Sequence, residues 1–216
     1  MLMPLYEAVS NMHAPTSVEA LQRAQRRMKY EELFFLELHI LKNIKAVSKK
    51  LRGHVFRHVG EYFNTFYSQH LPFPLTEAQK RVIKEIRADM GSGQQMNRLL
   101  QGDVGSGKTI VAFFTALIAL DNCYQACLMA PTEILARQHY EAISEMAAKI
   151  GVSVGLLTGS TRKREREAIH AGLLDGSLQL LIGTHALLED VVQYRNLGLA
   201  IIDEQHRFGV AQRARI

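Results

Sequence analysis

The chain has 216 residues, of which 47% are hydrophobic and 22% are charged, with a formal net charge of +5. These values are typical of a soluble globular protein, and two cysteines are too few for a disulfide framework. The sequence has no run of about 18 apolar residues that would predict a membrane span, and the first residues lack the pattern of a signal peptide. We therefore expect a cytoplasmic protein with no membrane partner, whose mildly basic charge suits a polyanion.

Residues 1–70 have the pattern of a helical segment. Thr16 precedes Glu19 by three residues, which is the spacing of a capping box. Beyond it, apolar residues recur at steps of three and four, which predicts one helix or two helices in series. The basic residues between positions 23 and 52 lie largely off the apolar stripe. They form either a solvated face or a surface that contacts nucleic-acid backbone.

A domain boundary is expected at Leu71–Pro74, because its two prolines break helices and favour extended backbone. We therefore predict a helical linker or docking segment at 1–70 and a nucleotide-binding domain at 71–216. The histidines and aromatic residues between His54 and His70 are interpreted as local core and docking surface. A metal site there is the less favoured interpretation.

From Thr76 onward the pattern is that of an α/β protein. Thr76 is the expected N-cap of a helix that ends near Met90, and short apolar runs then alternate with amphipathic helical patterns. The predicted strands are 96–101, 126–130, 152–157, 178–182 and 199–202, and the predicted helices are 108–119, 134–150 and 162–174. Such alternation predicts a parallel sheet covered by helices on both faces. Ligands bind such sheets at the carboxyl ends of the strands.

The sequence from Gly102 to Thr109 reads G-x-x-x-x-G-K-T, the pattern of a phosphate-binding loop. The spacing alone also fits a glycine-rich turn, but an apolar run precedes it and a helical pattern follows. In such loops, backbone N–H groups and the helix N-terminus bind phosphate oxygens. We expect Lys108 to reach the β- and γ-phosphates and the Thr109 hydroxyl to bind Mg²⁺. The predicted nucleotide-binding residues of the loop are Gly102, Asp103, Val104, Gly105, Ser106, Gly107, Lys108 and Thr109.

A second motif follows the last predicted strand, Leu199–Ile202, which delivers two acids to the carboxyl edge of the sheet. Asp203 is expected to hold Mg²⁺ through water, and Glu204 to orient and deprotonate the attacking water. The acids are adjacent because one must face the metal and the next must face the γ-phosphate. Together with the loop, this motif predicts hydrolysis of a nucleoside triphosphate.

The motifs GDVGSGKT, APTEILARQHY, LLTGS, GTHAL and DEQHRFGV resemble the first RecA-like motor domain of superfamily 2 helicases. Within that superfamily the chain is similar to the RecG family of ATP-dependent DNA helicases, which remodel stalled replication forks and recombination junctions. LPFPLTEAQ and residues 5–52 fit the same family, so the resemblance covers nearly the whole chain. The related transcription-repair coupling factors usually read DEEQ followed by RFG, whereas this chain reads DEQHRFG over 203–209. The family implies ATP and Mg²⁺ as cofactors and branched or forked DNA as partner.

The resemblance also assigns roles at the nucleotide. Gln79 matches the glutamine that reads the adenine edge, for which an amide that both donates and accepts is suited. The alternative is a glutamine on the surface of a helix. Gln205 and His206 match residues that sense the γ-phosphate and relay its state to the DNA side. The predicted catalytic residues are therefore Lys108, Glu204 and Gln205.

A further set of residues matches motifs that contact a DNA strand. They lie after three predicted strands, where small hydroxyl residues suit contacts with the DNA backbone and no reading of bases. The predicted DNA-binding residues are Thr132, Arg137, Gln138, Gly159, Ser160, Thr184 and His185. Thr132 has a purely structural alternative as a helix cap, and His185 has one as a packing residue. The basic run Arg162–Arg166 is interpreted as a solvated helix start, with a DNA-contacting surface as the alternative.

The family finally implies parts that this sequence does not contain. A helicase of this kind needs a second RecA-like domain, whose arginines complete the ATP site, so we expect the motor domain to be incomplete at its C-terminus. A supplied arginine is worth about 10³–10⁵ in rate. We therefore expect this chain alone to bind nucleotide weakly, to hydrolyse it very slowly and not to unwind DNA. The alternatives are a coupling-factor-like translocase motor and a nucleotide-binding module without hydrolysis, and a small-molecule kinase fits poorly.

Overall fold

The computed structural model describes residues 2–50, 52–103 and 105–205, without the side chains of 44–50. The predictions made for Val104 and for positions 206–209 lie outside the described residues. The chain divides into two compact units, Met1–Arg52 and Gly53–Ile216. Within the described residues, no helix combines the length and the hydropathy that crossing a membrane requires.

The first unit consists of helix α1, Leu5–His13, and helix α2, Val18–Lys50. The second of these is one continuous helix. Its first turn is capped by Ser17, whose Oγ accepts the N–H of Ala20 at 3.0 Å. The predicted cap at Thr16 is therefore wrong by one residue, because the Thr16 hydroxyl is engaged instead with Asn11 Oδ1 at 3.0 Å.

The core of the first unit is small. Met3, Ala8 and Ala24 are buried, and Met28 packs against them. Further along α2 the large apolar side chains are exposed, for example Leu33 with 66% of its surface accessible. Among the described side chains of α2, up to position 43, the predicted apolar stripe therefore contributes to this core only in the first three turns.

In the described part of the second unit, four strands form a parallel sheet: β1, Gln125–Met129; β2, Val154–Leu157; β3, Leu180–Gly183; and β4, Leu197–Ile202. Their order in the sheet is β2-β3-β1-β4. Leu128 of β1 pairs with Ile182 on one side and with Ile201 on the other, so β1 is an inner strand. The predicted parallel α/β sheet is confirmed, with strand ends that shift by one to two residues.

Helices cover both faces of this sheet because successive side chains of a strand point to opposite faces. Ala126 and Leu128 of β1 belong to the larger core, whereas Cys127 and Met129 belong to a second, smaller core on the other face. The α-helices described in this unit are α3, Glu61–Thr65; α4, Glu77–Met90; α5, Lys108–Asp121; α6, Glu133–Ala148; and α7, Lys163–Asp175. A π-helical turn, Phe66–His70, and a 3₁₀-helix, His185–Leu188, complete them. Helices α5 and α6 contribute to the larger core and α7 to the smaller one.

The predicted strand at 96–101 is wrong. The structure gives no strand between Met96 and Gln101, and Leu99 is 71% exposed. A strand exists only where a neighbour satisfies its backbone N–H and C=O groups. Within the described residues the sheet consists of β1 to β4, and the 96–101 segment pairs with none of them.

Residues 53–70 pack with the sheet-containing unit. Phe66 is fully buried, and its ring meets Phe113 of α5 edge to face at 4.9 Å and Phe114 at 5.4 Å. The compact unit thus begins at Gly53, earlier than the boundary expected at 71. The functional division into a linker and a motor domain stays a prediction. These aromatic contacts identify residues 53–70 as part of the scaffold that supports α5.

A carboxylate at the C-terminal end of α5 contacts helix α3, which lies within residues 53–70. Asp121 accepts the backbone N–H groups of Gly60, Tyr62 and Phe63 at 2.8, 3.0 and 3.2 Å. The first turn of a helix has N–H groups without partners inside the helix, and a carboxylate placed there satisfies them. Asp121 therefore acts as a helix cap supplied from a different part of the chain.

We expect Asp121→Ala to lower the free energy of unfolding by about 2–3 kcal/mol, because it removes charged hydrogen bonds and leaves buried donors unsatisfied. Equilibrium urea denaturation followed by circular dichroism measures the change. The exposed residue Asp190 provides the control, since Asp190→Ala should alter stability by less than about 0.5 kcal/mol. A loss no larger than that of the control would contradict the capping role of Asp121.

Candidate nucleotide and nucleic-acid site

All four strands end at the same edge of the sheet because they are parallel. Thr132 follows β1, Ser160 follows β2, Thr184 follows β3 and Asp203 follows β4. The structure therefore gathers the polar motifs that the sequence places at separate strand ends. This edge is where ligands of open parallel sheets bind.

The predicted phosphate-binding loop leads directly into α5. Gly105 and Gly107 have φ values of +79° and +77°, which only glycine adopts without strain. A Cβ at Gly107 would collide with Nε2 of Gln79. The ammonium group of Lys108 donates to the carbonyl groups of Gly102 and Asp103 at 2.8 and 2.9 Å. Lys108 thus folds back over its own loop, and a phosphate would take these contacts over.

These residues fit a nucleoside triphosphate with Mg²⁺. The N-cap of α5 is Gly107, and no side chain in the described part of the chain caps its first turn, so the N–H groups there suit an anion. Thr109 lies in that turn, half-buried, and Asp203 supplies a carboxylate at an adjacent strand end. Hydroxyl and carboxylate oxygens are the ligands that Mg²⁺ takes from proteins. Thr109 and Asp203 would therefore hold the metal, and the loop would hold the phosphates.

Gln79 lies against the phosphate-binding loop, although 27 residues of chain separate it from Ser106. Its Nε2 donates to the carbonyl of Ser106 at 3.0 Å. Its Oε1 accepts the N–H of Thr76 at 2.9 Å, while its own N–H donates to Thr76 Oγ1 at 3.2 Å. Thr76 is therefore the N-cap of α4, as the sequence predicts, within a complete capping box. Gln79 connects this cap to the loop, and its role at the adenine stays a prediction.

The acidic motif directly follows β4. Asp203 Oδ2 lies 2.9 Å from Nε2 of His139 on α6. This hydrogen bond holds the pKa of Asp203 below its ordinary value, and the positive charge of Lys108 acts in the same direction. Glu204 has φ of +50°, a left-handed conformation that costs a non-glycine residue roughly 1–2 kcal/mol. Gln205 follows in an exposed position. Backbone strain of this kind concentrates at functional sites.

A polar network joins the loops that follow β1 and β2. Ser160 Oγ donates to Glu133 at 2.7 Å and accepts from Arg137 Nη2 at 3.2 Å. The Ser160 hydrogen bond lowers the pKa of Glu133, which is therefore ionised near neutral pH. Thr132 caps α6 through its hydroxyl, which accepts the N–H of Leu135 at 3.3 Å. The two loops thus form one connected surface at the carboxyl edge.

The predicted DNA-binding residues differ in exposure. Thr184 is only 2% exposed, and its hydroxyl has no hydrogen-bond partner within the described part of the chain. A contact between that hydroxyl and DNA would first require the side chain to become accessible. The exposed members of the set are Arg137, Gln138, Gly159, Ser160 and His185. Their contact with DNA stays a prediction.

The basic run after β2 has one member with a structural role. Arg166 donates to Glu189 at 2.6 Å and to the carbonyl of Thr158 at 3.1 Å. Both partners hold the guanidinium group against the protein. This geometry favours the structural interpretation for Arg166, whereas the side chains of Arg162 and Arg164 are exposed.

Two residues of the site were not among the sequence predictions. Glu133 holds Ser160, and His139 contacts Asp203. A signal for His139 does exist in the sequence, because it falls on the apolar stripe of α6 between the buried residues Ala136 and Ile143. A polar side chain on a buried stripe must find a partner. No comparable pattern identifies Glu133.

Comparison with known proteins agrees with this geometry. The RecG ATP-dependent DNA helicase of Synechocystis is 47% identical over 215 residues, spanning 100% of this chain and 26% of that protein. The RecG helicase of Bacillus subtilis is 46% identical over 211 residues, spanning 98% of this chain and 31% of that protein. A solved structure of RecG bound to a three-way DNA junction matches with a TM-score of 0.81 and 46% identity, over 94% of this chain and 27% of that chain.

The chain thus spans about a quarter to a third of the length of these relatives. The profile of DEAD/DEAH box helicases matches residues 76–216, which include the phosphate-binding loop, the parallel sheet and the acidic strand end. With this match extending over more than half of its length, the chain belongs to the DEAD/DEAH box helicase family.

Proposed function

We propose that this chain binds ATP with Mg²⁺ and forms the first part of the motor of an ATP-dependent helicase that remodels branched DNA. The observation that carries the proposal is the phosphate-binding loop at the start of α5, where Gly105 and Gly107 have positive φ values and the Lys108 ammonium lies over the loop. The Asp203 carboxylate directly follows β4, and the hydrogen bond with His139 and the positive charge of Lys108 lower its pKa. A loop for phosphates and a carboxylate for a metal are the two parts that a nucleoside triphosphate site requires.

The choice of DNA as partner rests on the relatives. The matching proteins are named ATP-dependent DNA helicases, and the matching structure contains a three-way DNA junction. This chain corresponds to about a quarter to a third of such a protein, so unwinding, junction preference and a second RecA-like domain belong to the proposal.

Each residue of the site has a distinct part in the proposed reaction. The Lys108 ammonium would bind the β- and γ-phosphates once it leaves the carbonyls of its loop. Bound Mg²⁺ would neutralise phosphate charge during hydrolysis. Glu204 would orient a water and take its proton, and Gln205 would sense the γ-phosphate. The match of residues 76–216 to the DEAD/DEAH box helicase family supports these roles.

The strand-end surface suits contacts with the DNA backbone. Arg137 offers a guanidinium group and Gln138 offers a neutral donor, both exposed on α6, whereas the hydroxyl proton of Ser160 is already donated to Glu133. Charged and amide donors of this kind bind phosphates and position a protein on DNA without reading sequence. We therefore propose binding that depends on salt and is insensitive to base sequence.

Binding of a fluorescent ATP analogue to this chain tests the proposal, with Mg²⁺ or with EDTA, and with forked or linear DNA. We expect Mg²⁺ to strengthen nucleotide binding and DNA binding to weaken steeply with salt. An absence of nucleotide binding in every condition would overturn the proposal. Nucleotide binding without any DNA binding would favour a nucleotide-binding module of another function.

Glu204→Gln should preserve nucleotide binding and slow hydrolysis by about 10²–10⁴-fold, the typical contribution of a general base. The amide keeps the shape of the side chain but cannot accept the proton. Single-turnover hydrolysis of ATP, with the chain in excess and forked DNA present, measures the effect. Glu141→Gln, at an exposed position of α6, is the matched control. Equal rates for both variants would refute the assignment of Glu204 as the base.

A further inference from the structure

Helix α6 carries a histidine that none of the motif-based predictions assigns. Ala136, Ile143 and Ala147 form the buried face of this helix. His139 lies on that face but, unlike them, meets a polar partner, Oδ2 of Asp203 at 2.9 Å. Only 18% of the His139 side chain and 27% of the Asp203 side chain are accessible. The contact is therefore shielded from most competing water.

The direction of this hydrogen bond follows from the chemistry of its partners. An aspartate carboxylate is ionised near neutral pH and can only accept hydrogen bonds. Nε2 of His139 must therefore carry the proton and donate it. A neutral imidazole with its proton on Nε2 is sufficient, so the contact requires no positive charge on His139.

The main chain of Asp203 is held independently of His139. Its N–H donates to the carbonyl of Met129 at 2.8 Å, which continues the pairing of β4 with β1. This bond fixes the position of the backbone but leaves the two side-chain torsions of the aspartate free. The carboxylate itself meets the backbone N–H of the next residue, Glu204, and the imidazole of His139. Of these two contacts, the one from His139 is the side-chain contact, and it comes from the neighbouring helix.

We propose that His139 is a positioning residue, which holds the Asp203 carboxylate in the orientation that the bound metal of the nucleotide requires. The proposal rests on the proposed function, since it assumes that Asp203 serves Mg²⁺. Partners behind a metal-binding carboxylate typically contribute 10–100-fold to metal affinity. His139 acts through Asp203 and does not itself contact the nucleotide.

Two polar substitutions of His139 separate positioning from packing. In His139→Gln, the amide nitrogen reaches about as far as Nε2 of histidine and can still donate to Asp203. In His139→Asn, the amide is shorter and loses that donor while the position stays polar. The control is His170→Gln, because Nε2 of His170 on α7 has no hydrogen-bond partner within the described residues.

The measurement is a titration of Mg²⁺ into each variant with a fluorescent ATP analogue, with the affinity in EDTA determined separately. We expect His139→Asn to raise the Mg²⁺ concentration at half-saturation by about 10-fold or more. Affinity in EDTA should stay within about twofold of wild type, since Asp203 does not serve the nucleotide without the metal. His139→Gln and His170→Gln should both remain close to the wild-type Mg²⁺ requirement.

Two results would overturn the inference while leaving the proposed function intact. One is a wild-type Mg²⁺ requirement in His139→Asn. The other is an equal loss of affinity with and without Mg²⁺, which would identify a structural role for His139. If the wild-type chain shows no Mg²⁺-dependent nucleotide binding at all, the proposed function fails first and the inference fails with it.

Discussion

Lys108→Ala is expected to weaken Mg²⁺-nucleotide binding by about 2–5 kcal/mol, or roughly 30-fold to several thousand-fold, which is the usual effect of removing one partner of a shielded charge pair. Lys108 is half-buried at the start of α5, and its ammonium group lies over the loop, bonded to Gly102 and Asp103. The group is thus held where phosphates would bind. Alanine at position 108 would leave the negative charge of the phosphates without this ammonium group.

Isothermal titration calorimetry with an ATP analogue measures this change. The control is Lys149→Ala, which removes a lysine of similar charge from the end of α6, where its side chain is 41% exposed and forms a long ion pair with Glu145 at 3.7 Å. That variant should bind nucleotide as the wild type does. Unchanged nucleotide binding in Lys108→Ala, with an intact fold by circular dichroism, would show that the loop does not bind the nucleotide phosphates and would contradict the proposed function.

Gln125→Leu is expected to lower the free energy of unfolding by about 3–5 kcal/mol, because it leaves several buried backbone groups without partners. Gln125 is only 5% exposed at the start of β1. Its Nε2 donates to the carbonyls of Leu173 and Leu178 at 2.9 and 2.8 Å, and its Oε1 accepts the N–H of Asn196 at 2.9 Å. The side-chain amide of Gln125 therefore links the start of β1 to the segments that lead into β3 and β4.

Leucine has nearly the same volume as glutamine, so the loss should reflect hydrogen bonds and not a cavity. A drop of about 2–4 °C in Tm per kcal/mol is usual for a domain of this size, which gives a decrease on the order of 10 °C. Thermal and urea denaturation measure both quantities. Gln193→Leu, at an exposed position before β4, is the control. Equal stability of the two variants would show that Gln125 is not required to hold the sheet together.

The parallel sheet and the phosphate-binding loop were predictable because they depend on local patterns. A buried strand needs an unbroken apolar run, and the loop needs glycine where φ is positive, as at Gly105 and Gly107. Parallel strands have their carboxyl ends on one edge of the sheet. The location of Thr132, Ser160 and Asp203 at the same edge could therefore also be predicted from the alternation of strands and helices. The catalytic and DNA-binding roles of these residues stay predictions.

Other features could not be predicted because they depend on neighbours distant in sequence. The 96–101 segment carries an apolar pair, Leu99 and Leu100, before the phosphate-binding loop, but it pairs with no strand in the described structure. Thr184 looks like an exposed strand-end hydroxyl in the sequence and is buried in the fold. The same limit applies to Ser17, which caps α2 in place of Thr16 because Asn11 engages Thr16.

The class of fold, the pattern of the phosphate-binding loop and the order of motifs along the sheet edge could be predicted, since each depends on residue types at short, regular spacing. Only the tertiary structure shows which side chains meet. It brought Gln79 to the loop, Glu133 to Ser160 and His139 to Asp203, across separations of 27 to 64 residues. Such contacts arise from the packing of α4 and α6 around the sheet, which no local pattern encodes.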